Sequence, residues 1–552
     1  MKKFLALFLS VFMLITVGLT TSGCASKDGI IDDKNTLNIR IRKAGYGTTY
    51  ISALADQFEK TFESQGYKVN ILPAQEDLVS DKVGREIYSG SKIDLFFADS
   101  FMPEFLEEGD YGIIGSDLTE SVWNKKAIKF DGTEEEQTIA EKLSVFDTQG
   151  WFYNSKIRGL PYACSIGGLA VNTKVLEDYG LETPRTTDEL FQCAEEIMKH
   201  AAEDEIYPFT YAFQDNLYIN RVAAPWIAQY NGIEEFNEFF SWSKADGTAM
   251  GADSYKVFGY ESVRKMLEVV YQFYDWRMMS FGSDSHDVSA AQGQIMKGEA
   301  VFYAVGDWMF QEECAKYPQY LNDVTLIPAP MISALGEKMF GEGSSYGFNK
   351  EKADDVLSLI SKYAMEGKLA ADIKPLVDEE LSVNVALDDV VTVCERRGMV
   401  SNSMNIGVIV NANSEKQELA ATFMRFIAST EAGTLFAKEA KTQSPFSFKE
   451  EMPSTEPWFD GVESILSNPY YKQLRNSQNG FKADCGITSY FPTLNHIFVI
   501  DINEDNVSKY DKDLKIIASN DVYKTAANAL CDKMMTDAKA KLDNGDWKPV
   551  TK

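Results

Sequence analysis

Between Leu37 and Ala98 the apolar residues change period repeatedly, and this alternation is the strongest constraint on the fold. Leu37 to Ile41 (LNIRI) alternates apolar and polar side chains, as a half-buried strand does. Tyr50 to Phe62 (YISALADQFEKTF) places Ile51, Leu54, Ala55, Phe58 and Phe62 at helical spacing. Tyr67 to Leu72 reads as a strand again, Asp81 to Tyr88 as helix, and Ile93 to Ala98 (IDLFFA) as a third strand. Strands separated by helices need crossovers, so the spacing predicts an α/β sheet. Ligands of such sheets sit beyond the C-terminal ends of the strands. Here those ends are Arg42-Lys43-Ala44-Gly45-Tyr46 and Ala98-Asp99-Ser100.

The pattern continues downstream. In Gly159 to Leu190, Pro161-Tyr162 and the pair Gly167-Gly168 interrupt what would otherwise be a strand, and Thr186 to Leu190 supplies an N-cap region for a helix. Val324 to Pro330 (VTLIPAP) reads as a strand ending in a turn. A chain of 552 residues is too long for one ordinary core, so two lobes are expected.

The N-terminus has a different character. Lys2 and Lys3 precede an apolar run from Phe4 to Leu19, followed by Thr21-Ser22-Gly23-Cys24. This is the layout of a secretion signal, and the run is shorter than the roughly 20 residues of a membrane-spanning helix. The cysteine after small residues resembles a bacterial lipobox, whose thiol is acylated, although Thr21 stands where such boxes usually carry leucine. The resemblance implies a signal peptide over 1-23, lipidation at Cys24 (palmitate or a similar acyl chain) and a lipidated tether over 24-35. The protein is then expected on the extracellular face of the bacterial cytoplasmic membrane, held by its lipid anchor alone.

Charge and composition narrow the partners. With 54 basic and 83 acidic residues the net charge is −29, which repels nucleic acid and anionic lipid headgroups. Besides Cys24 there are Cys164, Cys193, Cys314, Cys394, Cys485 and Cys531, widely scattered and without a CxxC. Disulfides and buried free thiols both remain open. The three histidines, His200, His286 and His496, lie far apart in sequence, so neither a histidine-rich zinc site nor any cofactor is expected.

The stretch G-L-P-Y…G-G-L-A-V-N-T-K…Y-G-L…P-R-T-T-D-E-L, then K-G-E-A-V-F-Y-A-V-G-D-W, L-I-P-A-P and Ile409 to Gly433 (IVNANSEKQELAATFMRFIASTEAG), resembles family 1 extracellular solute-binding proteins. These are the lipoprotein components of bacterial carbohydrate ABC importers, with maltose-binding proteins among their relatives. The resemblance covers nearly the whole chain after the leader. It implies an α/β, two-lobed periplasmic-binding-protein-like fold of type II, with the ligand in the inter-lobe cleft. On the family's pattern lobe one takes 36-161 and 408-443, and lobe two takes 168-334 and 445-552. Residues 335-400 form a helical insertion near the second crossing.

The same resemblance supplies candidate ligand residues. Aromatic rings stack on sugar C–H faces while polar side chains bond the hydroxyl rim. Lobe one offers Lys43, Tyr46, the backbone at Gly45 and Gly47, and Asp99, for which helix capping is the alternative. Lobe two offers Asp307, Trp308 and Trp226, the last with core packing as its rival. Tyr162 at the first crossing and Tyr490 in ITSYFPTLNH complete the set. Trp123, Trp151, Trp242, Trp276, Trp458 and Trp547 are assigned to core or surface.

The function so implied is capture of an oligosaccharide, or another small solute, and its delivery by a monomer to ABC importer permease subunits, with no bond made or broken. One alternative is a glycoside hydrolase, which needs two carboxylates at fixed separation. The chain has no GxSxG, HExxH, P-loop or GxGxxG motif to support catalysis. The other alternative is a sensory or adhesion lipoprotein on the same fold.

Overall fold

The computed structural model describes residues 29–43, 45–75, 78–98, 111–145, 152–153, 155–164, 166–201, 205–213, 218–242, 244, 246, 248–401, 407–448, 456–474, 507–511, 513, 515–519 and 521–545. Cys24, Asp99 and Tyr490 lie outside these residues.

The alternating segment folds as its period dictates. Strand Thr36–Ile41 pairs in parallel with Lys68–Ile71 on one side and Leu95–Ala98 on the other, with helices Thr49–Thr61 and Ser80–Tyr88 as crossovers. Gly407–Val410 adds antiparallel to Leu95–Ala98, and Leu160–Pro161 closes the five-stranded sheet. The sheet therefore mixes residues from both sides of the middle of the chain. Its core is aromatic: Phe58 meets Phe423 edge-on at 5.0 Å between ring centroids, and Phe96, Phe97 and Phe436 are buried with it.

The second sheet orders Tyr207–Phe209, Ala300–Gly306, Gly167–Asn172 and Val324–Ile327. The glycine pair Gly167-Gly168 does not interrupt its strand but belongs to it, a correction to the sequence reading. A Cβ on Gly168 would lie 2.2 Å from the carbonyl oxygen of Ile327, so the neighbouring strand approaches closely only because that residue is glycine. Thr186 caps helix Thr187–Met198 by accepting the Glu189 N–H at 3.2 Å. Helix Val522–Asp543 lies along Glu261–Phe273 and joins this second core through Tyr523, Leu530 and Cys531.

Residues expected as an insertion form four helices, Ser333–Phe340, Lys350–Met365, Ala370–Leu381 and Leu387–Arg397. They share the second core, through Leu357, Ile373 and Val393 among others. The first core collects buried residues from Leu37 to Cys164 and from Val408 to Phe446. The first core ends at Cys164 and the second begins at Ile166; the second then runs to Val400, and the first resumes from Val408 to Phe446. The Cys164 N–H donates to the Gln443 carbonyl at 3.0 Å, tying these segments together.

Among the described residues no helix is long and apolar enough to cross a membrane, and no cluster of metal-ligating side chains forms. The five described cysteines after the leader are free thiols.

Candidate functional site

Asp307 stands where the lobes meet. Strand Ala300–Gly306 delivers it, fully buried, to the first crossing, where its N–H donates to the Ile166 carbonyl at 2.9 Å. Its Oδ1 accepts the Ile166 N–H and the Tyr46 hydroxyl, each at 3.1 Å, and its Oδ2 accepts the Thr442 hydroxyl. The Trp458 indole N–H donates to the Asp307 carbonyl at 3.2 Å. Burial pushes the carboxyl up to about 6, against the opposing pull of these donors and of the nearby Arg221 guanidinium.

Tyr46 reaches Asp307 from the other lobe. It sits between Gly45 and Gly47, whose φ values of 79° and 68° lie in the left-handed region that glycine adopts freely. Its ring packs edge-on against Phe436 with centroids 6.1 Å apart. Beside it, the Gly45 N–H donates to Glu312 Oε1 at 3.1 Å, while Gln292 donates to Glu312 Oε2 at 2.8 Å. Burial raises the Glu312 carboxyl as well.

Trp308 lies half-buried next to this junction and packs against the core of lobe one. Gly306 and Gly167 are opposite each other in the antiparallel ladder and form a floor without side chains. A Cβ on Gly306 would fall 1.9–2.4 Å from three atoms of the Trp308 six-membered ring, so the ring lies directly over that glycine. A Cβ on Gly167 would fall 2.6 Å from Arg221 Cδ, so the arginine stem covers the other half of the floor. The Arg221 guanidinium is 4.8 Å from the Trp308 ring centroid, a cation–π contact. Tyr218 stands 5.9 Å from Trp308 and stacks on Tyr303.

The structure thus brings together Tyr46, Asp307 and Trp308 from the expected set. Lys43 is exposed on the same lobe-one loop, with its N–H donated to the Gln75 carbonyl at 2.9 Å. Tyr162 and Trp226 are placed elsewhere. Tyr162 is fully buried in the lobe-one core, stacked on Tyr50 at 5.9 Å and edge-on to Phe436 at 4.8 Å. Trp226 is buried mid-helix in lobe two, with its N–H donated to the Pro330 carbonyl at 2.9 Å. Both rings are enclosed by protein, because the apolar faces that a sugar would need are what close the cores. Tyr218, Arg221, Glu312 and Thr442 were not anticipated. They come from three separated stretches, Tyr218 and Arg221 sharing one, and none carries a local motif.

Chemically the site can stack and hydrogen-bond. Both oxygens of Asp307 and both of Glu312 accept hydrogen bonds from protein donors. A separate cavity of about 610 Å³ opens within lobe two, lined by Phe191, Val269 and Tyr510 among others. Its rim lysines are already paired, Lys265 with Glu268, Lys350 with Asp188 and Lys509 with Glu195.

Two α/β lobes meeting over a buried carboxylate and an aromatic platform define a two-lobed solute-binding fold. The chain belongs to the family of bacterial extracellular solute-binding proteins, whose model matches residues 44–434. No match is found among curated proteins. Among solved structures, the maltotriose-binding protein of Thermus thermophilus bound with maltotriose is similar, with 13% identity and a TM-score of 0.53. The match covers 92% of this chain and 100% of that one. The GacH receptor of Streptomyces glaucescens, solved unliganded and with acarbose, gives 12% identity and a TM-score of 0.54, covering 91% and 98%. A protein from work on xylan utilization by Caldanaerobius polysaccharolyticus gives 12% and 0.56, covering 91% and 99%. At such identities the likeness is one of fold.

Proposed function

We propose that this protein is a lipid-anchored extracellular solute-binding protein that captures an oligosaccharide between its lobes and delivers it to the permease of an ABC importer. The observation that carries the reading is the platform of Trp308, Arg221 and Tyr218 laid on paired glycines at the lobe junction. Flat rings beside a guanidinium match the C–H faces and hydroxyl rim of a sugar. Relatives of the same fold are described with maltotriose and acarbose.

On this reading Trp308 stacks on the ligand, and Lys43, Asp99 and Tyr490 are further ligand contacts. Lobe one takes 36-161 and 408-443, lobe two takes 168-334 and 445-552, and residues 335-400 are an insertion near the second crossing. Cys24 carries the lipid, the protein works as a monomer, and it catalyses nothing. Closure around the solute presents a composite surface to the permease.

The test is a thermal-shift screen of the chain lacking its leader against mono- and oligosaccharides, followed by calorimetry. A ligand that binds only the native state raises the melting temperature by mass action. A rise with one glycan class supports the reading. Cleaved glycan in the same tubes would replace it with an enzyme, and no rise across a broad panel would overturn sugar as the solute.

A further inference from the structure

We propose that Asp307 and Tyr46 form a latch that holds the lobes closed before any solute arrives. The Tyr46 hydroxyl bond to Asp307 Oδ1 joins residues 261 positions apart, one from each lobe. The carboxylate also accepts the Ile166 N–H, at the first crossing, and the Thr442 hydroxyl, from the stretch between Ala440 and Phe446 of the first core. A second strut runs beside it, from the Gly45 N–H to Glu312 Oε1 at 3.1 Å. Thus two donors of the loop after the first strand, the very loop expected to hold solute, are spent on lobe two.

The consequence is a shifted population. A bond made only in the closed form raises the closed fraction without ligand, and it raises the apparent affinity for every solute by the same factor. A residue that touches the solute would instead alter different solutes unequally. The latch depends on the two-lobed fold alone, so failure to find a sugar ligand would leave it standing.

Hydrogen exchange of the ligand-free protein tests it, because the Gly45 amide exchanges when the lobes part. Tyr46→Phe keeps the ring against Phe436 and deletes the cross-lobe bond. Exchange over Gly45 to Thr48 should quicken about tenfold, the usual scale for a hydrogen bond to a charged group. Exchange in strand Leu95–Ala98 should be unchanged. Should that variant fail to fold, Asp307→Ala is read in the same way. Unchanged exchange at Gly45, equal acceleration in both segments, or an unprotected Gly45 amide in the wild-type protein would each overturn the latch.

Discussion

Gly306 and Gly167 face each other across the antiparallel ladder of lobe two, and the Trp308 ring and the Arg221 stem lie over the gap they leave. Neither glycine has a positive φ, so their value is the missing side chain and not the backbone conformation. Gly306→Ala would put a methyl into the space that the Trp308 ring occupies. The ring must then leave its seat, at a cost of about 1–3 kcal/mol in stability. Chemical denaturation measures that cost, and the loss of tryptophan environment at position 308 should appear in near-ultraviolet circular dichroism.

Trp308→Ala should behave differently. The side chain is half-buried, so the fold should survive. Carbohydrate affinity should fall by about 1–3 kcal/mol, by analogy with the loss of ring stacking on bases. Calorimetry on the best glycan from the screen reads the change. Unchanged affinity in a folded variant would remove Trp308 from the binding surface.

Trp226→Phe provides the contrast. It deletes the indole bond to Pro330 and shrinks a buried side chain. Stability should drop by about 1–3 kcal/mol, while affinity in the folded protein stays the same. Weakened binding with an unchanged melting temperature would return Trp226 to the cleft.

A fourth prediction concerns pH. Asp354 is buried beneath the N-terminus of helix Thr187–Met198, where the Thr186 hydroxyl donates to its Oδ2 at 2.7 Å. Burial pushes its carboxyl up to about 6 from 3.8, partly opposed by that hydroxyl. A raised native pKa means that the folded state holds the proton more tightly than the unfolded chain. The resulting stabilisation is fully present below pH 4 and is lost as pH rises through about 6. Asp354→Asn removes this dependence. The stability difference between wild type and variant should therefore change by on the order of 1–2 kcal/mol between pH 7 and pH 4. Paired melting curves across that range would show it.

Local chemistry made much of the first lobe legible. The periods at Leu37 to Ile41 and Tyr50 to Phe62 became strand Thr36–Ile41 and helix Thr49–Thr61. The threonine before Thr187–Met198 became its cap. Trp308 was placed at the junction through the family's order of motifs. Gly167-Gly168 looked like a break because glycine weakens an isolated strand, but a close neighbouring strand reverses that preference. Tyr162 and Trp226 are buried, which for Trp226 is the core-packing alternative, because an aromatic ring closes a core as readily as it meets a sugar.

The sequence by itself determined the α/β alternation, the aromatic supply for two cores and the acidic surface, because each follows from nearest-neighbour periodicity or from composition. Only the tertiary structure decided that Tyr46 meets Asp307, that Arg221 lies over Gly167, and that Trp308 packs towards lobe one. Those contacts join segments far apart in the chain, and a local pattern carries no information about which distant surface will arrive to complete it.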